Sequence, residues 1–137
     1  MREIKVRAYA KEEKQWVFGY GVDWVEWVEE VAKEKGCKKS LFLYQSDDIY
    51  EVHEESVGQY TNATDKNGKE IYDGDITIDG YGTVTVIEND GFQWLERIVR
   101  LRDRHISKEI LIMTKANAFR CEVIGNIYEN PELLEGE

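Results

Sequence analysis

The sequence is poor in the residues that usually mark a disulfide framework or a metal centre. Its 137 residues include one proline, two cysteines and two histidines. Cys37 and Cys121 lie far apart and form no Cys-x-x-Cys pair, which predicts reduced thiols in the cytoplasm. His53 has no Cys, Asp or His at ligand spacing around it, so we expect a surface histidine. No metal and no cofactor are predicted.

Long apolar runs and a surplus of positive charge are also missing. No run approaches the roughly 20 apolar residues of a transmembrane helix, and residues 1–14 contain no signal-peptide core. The 28 acidic residues exceed the 18 Lys and Arg residues, giving a net charge of −10. Such a chain is repelled by anionic membranes and, on average, by nucleic acid. We therefore expect a soluble cytoplasmic protein with no membrane partner.

Apolar and aromatic residues are plentiful. Hydrophobic residues make up 42% of the chain and aromatic residues 12%. Disordered chains are poor in aromatic residues, so this composition predicts a folded protein. The length is that of one ordinary domain, and we predict a single domain over residues 1–137.

The N-terminal region, about residues 1–56, is predicted to combine short strands with one helix. Apolar and polar residues alternate near the start, which is typical of a half-buried strand. Further strands are indicated at residues 16–21, 40–44 and 49–52.

One amphipathic helix is predicted over residues 23–35. Asp23 and Glu26 have capping-box spacing, and apolar residues recur at helical spacing from Trp24 onward. Glu29 and Lys33 form a favourable pair one turn apart. The helix is expected to end at glycine 36 and to pack on a sheet.

The region from about residue 57 to residue 130 is punctuated by glycines. Short β-branched runs at this spacing predict a small antiparallel barrel. The predicted strands are residues 75–78, 83–88, 92–95, 110–114 and 119–128.

The acidic stretch at residues 59–78 does not fit a calcium loop. An EF-hand requires glycine at position 6 and glutamate at position 12. A loop starting at Asp75 has Val86 at position 12, and one starting at Asp65 has Glu70 at position 6. A weak cation site is left as an alternative, on Asp73, Asp75 or Asp79.

Turn chemistry explains the same stretch better. Asn-Gly and Asp-Gly are preferred central pairs of type I′ turns, which need positive φ at both positions. We therefore predict type I′ turns at Asn67-Gly68 and Asp73-Gly74, with the neighbouring acids serving turn hydrogen bonds.

A basic segment at residues 97–108 stands out in this acidic chain. It contains five Lys or Arg residues against a single aspartate, a net charge of +4. In a strand, alternate arginines share one face and could contact phosphates, with an aromatic ring for stacking. The other interpretation is pairing with the chain's own acids. The candidate interaction residues are Arg100, Arg102, Arg104, Trp94 and Tyr81.

No catalytic constellation is recognisable in the sequence. Neither cysteine lies in a nucleophile signature, and two histidines without partners make no triad. Phosphate-binding and dinucleotide-binding glycine patterns are absent. We predict that the chain is not an enzyme.

Three blocks resemble the YopX family of phage and prophage proteins. They are 57-VGQYTNATDKNGKEIYDGDI-76, 123-VIGNIYENPELLE-135 and the opening 2-REIKVRAYAKEEK-14. The family's usual Gln-Tyr-Thr-Gly-Leu is replaced here by a sequence with Asn62 and Ala63. Asparagine tolerates the left-handed region best among non-glycine residues, so we expect positive φ at Asn62.

The resemblance implies a β-rich fold around a small SH3-like barrel, a phage or prophage origin and a location in the host cytoplasm. It implies no known activity. The predicted fold is mainly β (α+β): a small SH3-like antiparallel barrel with one amphipathic helix packed on it.

The predicted function is that of a non-enzymatic phage accessory protein that binds an unknown host or phage protein. The alternative is a small barrel that binds nucleic acid through the basic segment. A third hypothesis is an acidic mimic of DNA.

Overall fold

The computed structural model describes residues 4–89, 94–100, 110–112, 118 and 120–134. Antiparallel strands dominate these residues, so the mainly-β prediction is confirmed. The chain divides into two compact units, an N-terminal unit of residues 1–59 and a C-terminal unit of residues 60–137.

The N-terminal unit contains five strands and one α-helix before its last strand begins. A 3₁₀ turn at Glu54–Ser56 precedes that strand. The elements are β1 (Val6–Tyr9), β2 (Trp16–Gly19), β3 (Gly21–Glu26), α1 (Glu29–Lys35), β4 (Lys39–Tyr44) and β5 (Ile49–Val52).

The segment of residues 16–26 passes from one sheet to another. Its first part, β2, pairs antiparallel with β1, and its second part, β3, pairs antiparallel with β4. β4 also pairs with β5. The buried side chains between these strands form the core of the unit: Ala8, Ala10, Val17, Leu41, Leu43 and Val52.

Gly19 lies where this segment changes sheets. A Cβ atom there would stand 2.2 Å from the carbonyl oxygen of Tyr44 and 2.6 Å from a methyl carbon of Leu43. Real Cβ atoms do not approach other atoms this closely, so the crossing requires glycine.

The predicted helix was too long. Residues 23–26 belong to β3, and the helix covers Glu29–Lys35 only. The predicted capping box does not form, because Asp23 Oδ1 accepts the N–H of Trp24 instead. In β3, Val22 and Trp24 face Leu43 and Leu41 across the sheet, and this pairing outweighs the helical spacing.

The end of the helix was predicted correctly. Gly36 has a φ of 76° and follows the last helical residue. The Glu29–Lys33 pair is also present, with 3.9 Å between Nζ and Oε1. No residue of α1 is fully buried, and only Val31 and Ala32 are half-buried.

The strand β6 (Gly58–Thr64) begins in the N-terminal unit, where its first two residues pair with β1. From Tyr60 onward it belongs to the C-terminal unit and pairs with β7. The remaining strands are β7 (Glu70–Tyr72), β8 (Asp75–Asp79), β9 (Val84–Asn89), β10 (Trp94–Arg100), β11 (Ile110–Ile112) and β12 (Cys121–Asn126).

The C-terminal unit is organised around a five-stranded antiparallel sheet in the order β11-β10-β9-β8-β12. One cluster of buried side chains is formed by Ala63, Ile71, Ile87, Trp94, Ala118, Cys121 and Val123. A second cluster is formed by Ile76, Val84 and Val86, with Leu133 and Leu134 of a 3₁₀ turn packed against it.

The predicted barrel over residues 57–130 is not found in the described part of the chain. The strands of this region form an open sheet whose end strands are β11 and β12, together with the β6–β7 pair. The shortness of the strands was predicted correctly, but short strands are equally compatible with an open sheet.

Candidate functional site

Asp65, in the acidic stretch, is a buried structural carboxylate. Its side chain is 1% exposed. Oδ1 accepts the N–H groups of Asn67 at 2.8 Å and Lys69 at 2.9 Å, and Oδ2 accepts that of Val123 at 2.9 Å. Burial raises the pKa of Asp65, but these hydrogen bonds and the charge of Lys69 outweigh burial and hold the pKa below its usual value. The backbone thus uses both carboxylate oxygens.

The predicted type I′ turn at Asn67-Gly68 is wrong. The N–H of Gly68 donates to the carbonyl of Asp65 at 3.0 Å, so Lys66 and Asn67 are the central residues. Gly68 has a φ of 81°, whereas Asn67 is not among the residues with positive φ. This is a type I turn followed by a left-handed glycine, a common hairpin connection.

The second predicted type I′ turn, at Asp73-Gly74, is also wrong, because only Gly74 has positive φ, at 90°. Asn62 has a φ of 67°, which confirms the prediction for that residue.

Asp75 and the nearby Asp79 also bind the backbone. Asp75 is 1% exposed and its Oδ2 accepts the N–H of Tyr72 at 2.7 Å. Oδ1 of Asp79 accepts the N–H groups of Tyr81 at 2.8 Å and Thr83 at 3.0 Å. Among the described residues, no group of three or more His, Cys, Asp or Glu side chains is placed to hold a metal ion.

The basic segment is only partly described. Arg100 ends β10, while Arg102 and Arg104 lie outside the described residues. Arg97 pairs with Glu88 on the neighbouring strand, with 2.5 Å between Nε and Oε1.

The two predicted stacking residues differ sharply. Trp94 is 8% exposed and belongs to a core cluster, so its assignment as a stacking surface is corrected: the ring packs in the sheet's core. Tyr81 is 82% exposed in the β8–β9 turn. The structure therefore does not place these two rings together on one surface.

Sequence reasoning missed a buried carboxyl in the C-terminal unit. Glu96 is 7% exposed, and burial, followed by the negative charge of Asp79, raises its pKa. Burial, with the charge of Glu96 as the next contribution, raises the pKa of the Cys121 thiol to about 11. This thiol is therefore protonated at neutral pH and is a poor nucleophile. The sequence signal was only that Glu96 lies two residues after Trp94, so that both side chains share one face of β10.

The N-terminal unit presents an exposed apolar surface that sequence reasoning also missed. Ile4 is 72% exposed, Phe18 43% and Tyr20 60%. These side chains line a groove of about 430 Å³ together with the turn at residues 45–48. We call this feature the Phe18–Tyr20 groove.

Hydrogen bonds fix the walls of the Phe18–Tyr20 groove. The side-chain amide of Gln45 donates to the carbonyl of Phe18 at 2.9 Å. The N–H of Tyr20 donates to the carbonyl of Tyr44 at 3.1 Å, and the N–H of Gln45 to that of Asp48 at 2.8 Å. Hydrogen bonds therefore hold the backbone of the strand and of the turn on which the groove side chains are carried.

Short antiparallel strands, turn-binding aspartates and an exposed groove with two aromatic side chains define a small β-rich protein with two compact units. The chain belongs to the YopX family: the family model described as YopX protein matches residues 5–135. The resemblance found in the sequence is therefore confirmed over nearly the whole chain.

Among solved structures, the chain is similar to the crystal structure of protein EF1440 from Enterococcus faecalis. The two share 20% sequence identity over 95% of this chain and 96% of that chain, with a TM-score of 0.51. This likeness shows a shared fold. No curated protein matches the chain.

Within the described residues, no helix is long and apolar enough to cross a membrane.

Proposed function

We propose that this YopX-family chain is a non-enzymatic phage or prophage accessory protein that binds a host or phage protein. The observation that carries the proposal is the Phe18–Tyr20 groove. The phage or prophage origin rests on what the YopX resemblance implies.

The composition of the groove supports protein binding. Aromatic side chains are enriched at the centres of protein interfaces, where they contribute much of the binding energy. Phe18 and Tyr20 are large rings with few rotatable bonds, so ordering them on binding costs little entropy. Ile4 adds a third exposed apolar side chain in the same groove.

The strand beneath the groove is rigidly supported. Phe18 faces Arg7 in the β1–β2 register. The Arg7 guanidinium lies 4.8 Å from the centre of the Trp16 ring, and Tyr9 contacts Trp16 edge-on with 5.5 Å between ring centres. These contacts hold β1 and β2 together beside the groove, and a strand that is already in place lowers the cost of binding.

A photo-crosslinking residue at Tyr20 tests the proposal. Benzoyl-phenylalanine keeps an aromatic side chain at this position, and the same residue at the exposed Glu34 of α1 is the matched control. In lysate of phage-infected host cells, we expect a discrete adduct from position 20 that excess unlabelled protein removes. The proposal fails when positions 20 and 34 give the same adducts, or none.

The basic segment supports a rival proposal, nucleic-acid binding. Tyr81 remains an exposed ring, but Trp94 is buried and Arg97 is paired with Glu88. This rival predicts a salt-sensitive mobility shift with DNA or RNA that is lost when Arg100, Arg102 and Arg104 are replaced by Glu. No shift at low salt eliminates it.

For the architecture, we propose that an SH3-like barrel is formed by residues 6–52 rather than by residues 57–130. Pairings β2–β1, β3–β4 and β4–β5 support this, together with an isolated bridge to Val52 of β5 from Ala10, the residue that follows β1. The N–H of Lys11 donates to Glu51 at 2.9 Å, and that of His53 to Tyr9 at 3.1 Å. Hydrogen exchange tests this closure: the two amides should be protected like those of β4, and fast exchange would contradict it.

A further inference from the structure

The N-terminal unit contains a second concave feature, separate from the Phe18–Tyr20 groove. It is a pocket of about 430 Å³ that shares no lining residue with that groove. Its apolar part is formed by Trp24, Leu41 and Val52. We call it the Trp24 pocket.

Strand register brings the apolar residues of the Trp24 pocket together. Trp24 on β3 is opposite Leu41 on β4, and Leu41 is opposite Val52 on β5. Directly opposed residues point to the same face of an antiparallel sheet. Leu41 and Val52 are 6% and 1% exposed, whereas Trp24 is 40% exposed. The pocket thus extends the core of the unit to the solvent.

The rim of the Trp24 pocket is cationic, in contrast to the acidic chain. Three lysines line it against two glutamates, which gives a formal charge of +1 with neutral histidine, while the whole chain carries −10. The charged and titratable rim residues are Lys11, Lys38, Lys39, His53, Glu54 and Glu55.

Several charged groups at the rim contact neighbouring groups. Oε1 of Glu55 lies 3.6 Å from Nδ1 of His53. The Lys39 ammonium lies 4.3 Å from the centre of the Trp24 ring, so it faces a ring rather than a carboxylate. The Lys11 ammonium lies 3.5 Å from Oε2 of Glu51, and the Lys35 ammonium lies 3.4 Å from Oε1 of the same carboxylate. A ligand carboxylate would therefore meet Lys39 next to the apolar wall, whereas Lys11 already faces Glu51.

Strand addition at the edge of β3 does not suit this pocket. The N–H of Trp27 donates to the carbonyl of Lys38. Because alternate residues of a strand direct their N–H groups to the same side, the N–H groups of residues 23 and 25 also point toward β4. The N–H of Trp24 therefore points away from β4. That outward N–H already donates to Asp23 Oδ1 at 2.8 Å. A bound segment would therefore be recognised mainly through its side chains.

We infer that the Trp24 pocket binds an acidic peptide segment of a partner protein. An aromatic or aliphatic side chain of the segment packs on Trp24 and the exposed edge of Leu41, and its neighbouring carboxylates lie beside Lys38 and Lys39. The pocket volume lies within the range of about 300–1,000 Å³ that is usual for ligand sites. The inference rests on the proposed protein-binding function and gives the chemistry of the partner.

Matched tripeptides test the inference. Ac-Glu-Phe-Glu-NH₂ and Ac-Lys-Phe-Lys-NH₂ share the apolar residue and differ in charge. In an NMR titration of the labelled full chain at low salt, the acidic peptide should shift the Trp24 indole and the amides of Leu41 and Val52. The basic peptide should shift them at least tenfold less at the same concentration.

Charge-reversal variants locate the binding. Lys38→Glu combined with Lys39→Glu should weaken the acidic peptide at least tenfold, because both lysines are exposed rim residues. Lys33→Glu combined with Lys66→Glu makes the same charge change at two exposed residues that do not line the pocket, and should change the affinity less than twofold. Circular dichroism of each variant confirms that the fold is retained.

Three results would overturn the inference: equal shifts from both tripeptides, shifts that map outside the pocket, or preferential binding of a dT₈ oligonucleotide at the same residues. The outcome is separable from that of the crosslinking at Tyr20, which does not line this pocket. A specific Tyr20 adduct without peptide binding rejects only the pocket inference. Peptide binding without a Tyr20 adduct rejects the role of the Phe18–Tyr20 groove.

Discussion

Two turns of the C-terminal unit are built in the same way but are buried differently. In residues 65–69 and 79–83, the carbonyl of the aspartate accepts a glycine N–H at 3.0 and 3.1 Å. In each turn, Oδ1 of the same aspartate accepts two further N–H groups. The glycines, Gly68 and Gly82, have φ values of 81° and 84°.

The two turns differ in what lies beyond them. Asp65 is 1% exposed and also accepts the N–H of Val123 in β12. The N–H of Lys66 donates to the carbonyl of Cys121 at 2.9 Å. Asp79 is only half-buried, and the two hydrogen bonds that its Oδ1 accepts stay within its own turn. One motif thus connects two elements, while the other shapes a hairpin.

The largest effect is expected from Asp65→Ala. It would leave three N–H groups without their acceptor, and each buried unsatisfied group costs about 1–3 kcal/mol. We expect the free energy of unfolding to fall by about 3 kcal/mol or more in urea titrations. Asp79→Ala, at the more exposed copy, should cost about 1 kcal/mol. Equal losses would contradict the distinction between the two turns.

The two turn glycines, Gly68 and Gly82, should be equally sensitive to replacement by alanine. Placing an L side chain in the left-handed region costs about 1–2 kcal/mol, and the Cβ of Gly68→Ala would meet no atom within 4 Å. Gly68→Ala and Gly82→Ala should therefore lower the free energy of unfolding by similar amounts. Gly80→Ala is the matched control, because Gly80 has open space and no positive φ. A much larger loss of unfolding free energy for Gly68→Ala, in the turn with the buried aspartate, than for Gly82→Ala would refute this expectation.

Acid should weaken the contribution of Asp65. In the folded state the pKa of Asp65 lies below its ordinary value of 3.8. Near and below pH 3.8 the folded chain therefore binds fewer protons than the unfolded chain. The stability that the carboxylate contributes is present above pH 3.8 and is lost as the pH falls through the lower, folded value. The loss caused by Asp65→Asn should therefore shrink below pH 3.8 in urea titrations; a constant loss would argue against ionic hydrogen bonds.

Glu96 should show the opposite sign, with the smallest effect. Burial and then Asp79 raise its pKa above 4.5, so the ionised carboxylate destabilises the folded state at pH 7. Thermal unfolding should show Glu96→Gln more stable than the parent chain at pH 7, with the gain fading as the pH falls toward 4.5. A variant less stable at both pH values would show that the buried carboxyl is needed for packing.

The sequence predicted features that depend on neighbouring residues. The strand at residues 40–44, the helix end at Gly36 and the positive φ of Asn62 each follow from local preferences. The family resemblance, carried by long blocks, was also sound.

The failures arose where distant strands decide the structure. Residues 23–26 have helical spacing, but pairing with β4 makes them a strand. Trp94 and Glu96 alternate with other residues of β10, and only the packing of the C-terminal unit shows that both are buried. The Phe18–Tyr20 groove and the Trp24 pocket, which we propose as binding surfaces, combine residues from several strands, so no contiguous motif could reveal them.

The close approach at Gly19 determines which mutations this segment can tolerate. A coding change at this position inserts atoms against the Tyr44 carbonyl, whereas a Cβ atom at Gly21, two residues later, would meet no atom within 4 Å. Selection on a random library of this segment should therefore retain many alleles at codon 21 and almost none at codon 19. The crossing between sheets makes one position intolerant of mutation and leaves a neighbouring glycine free to vary.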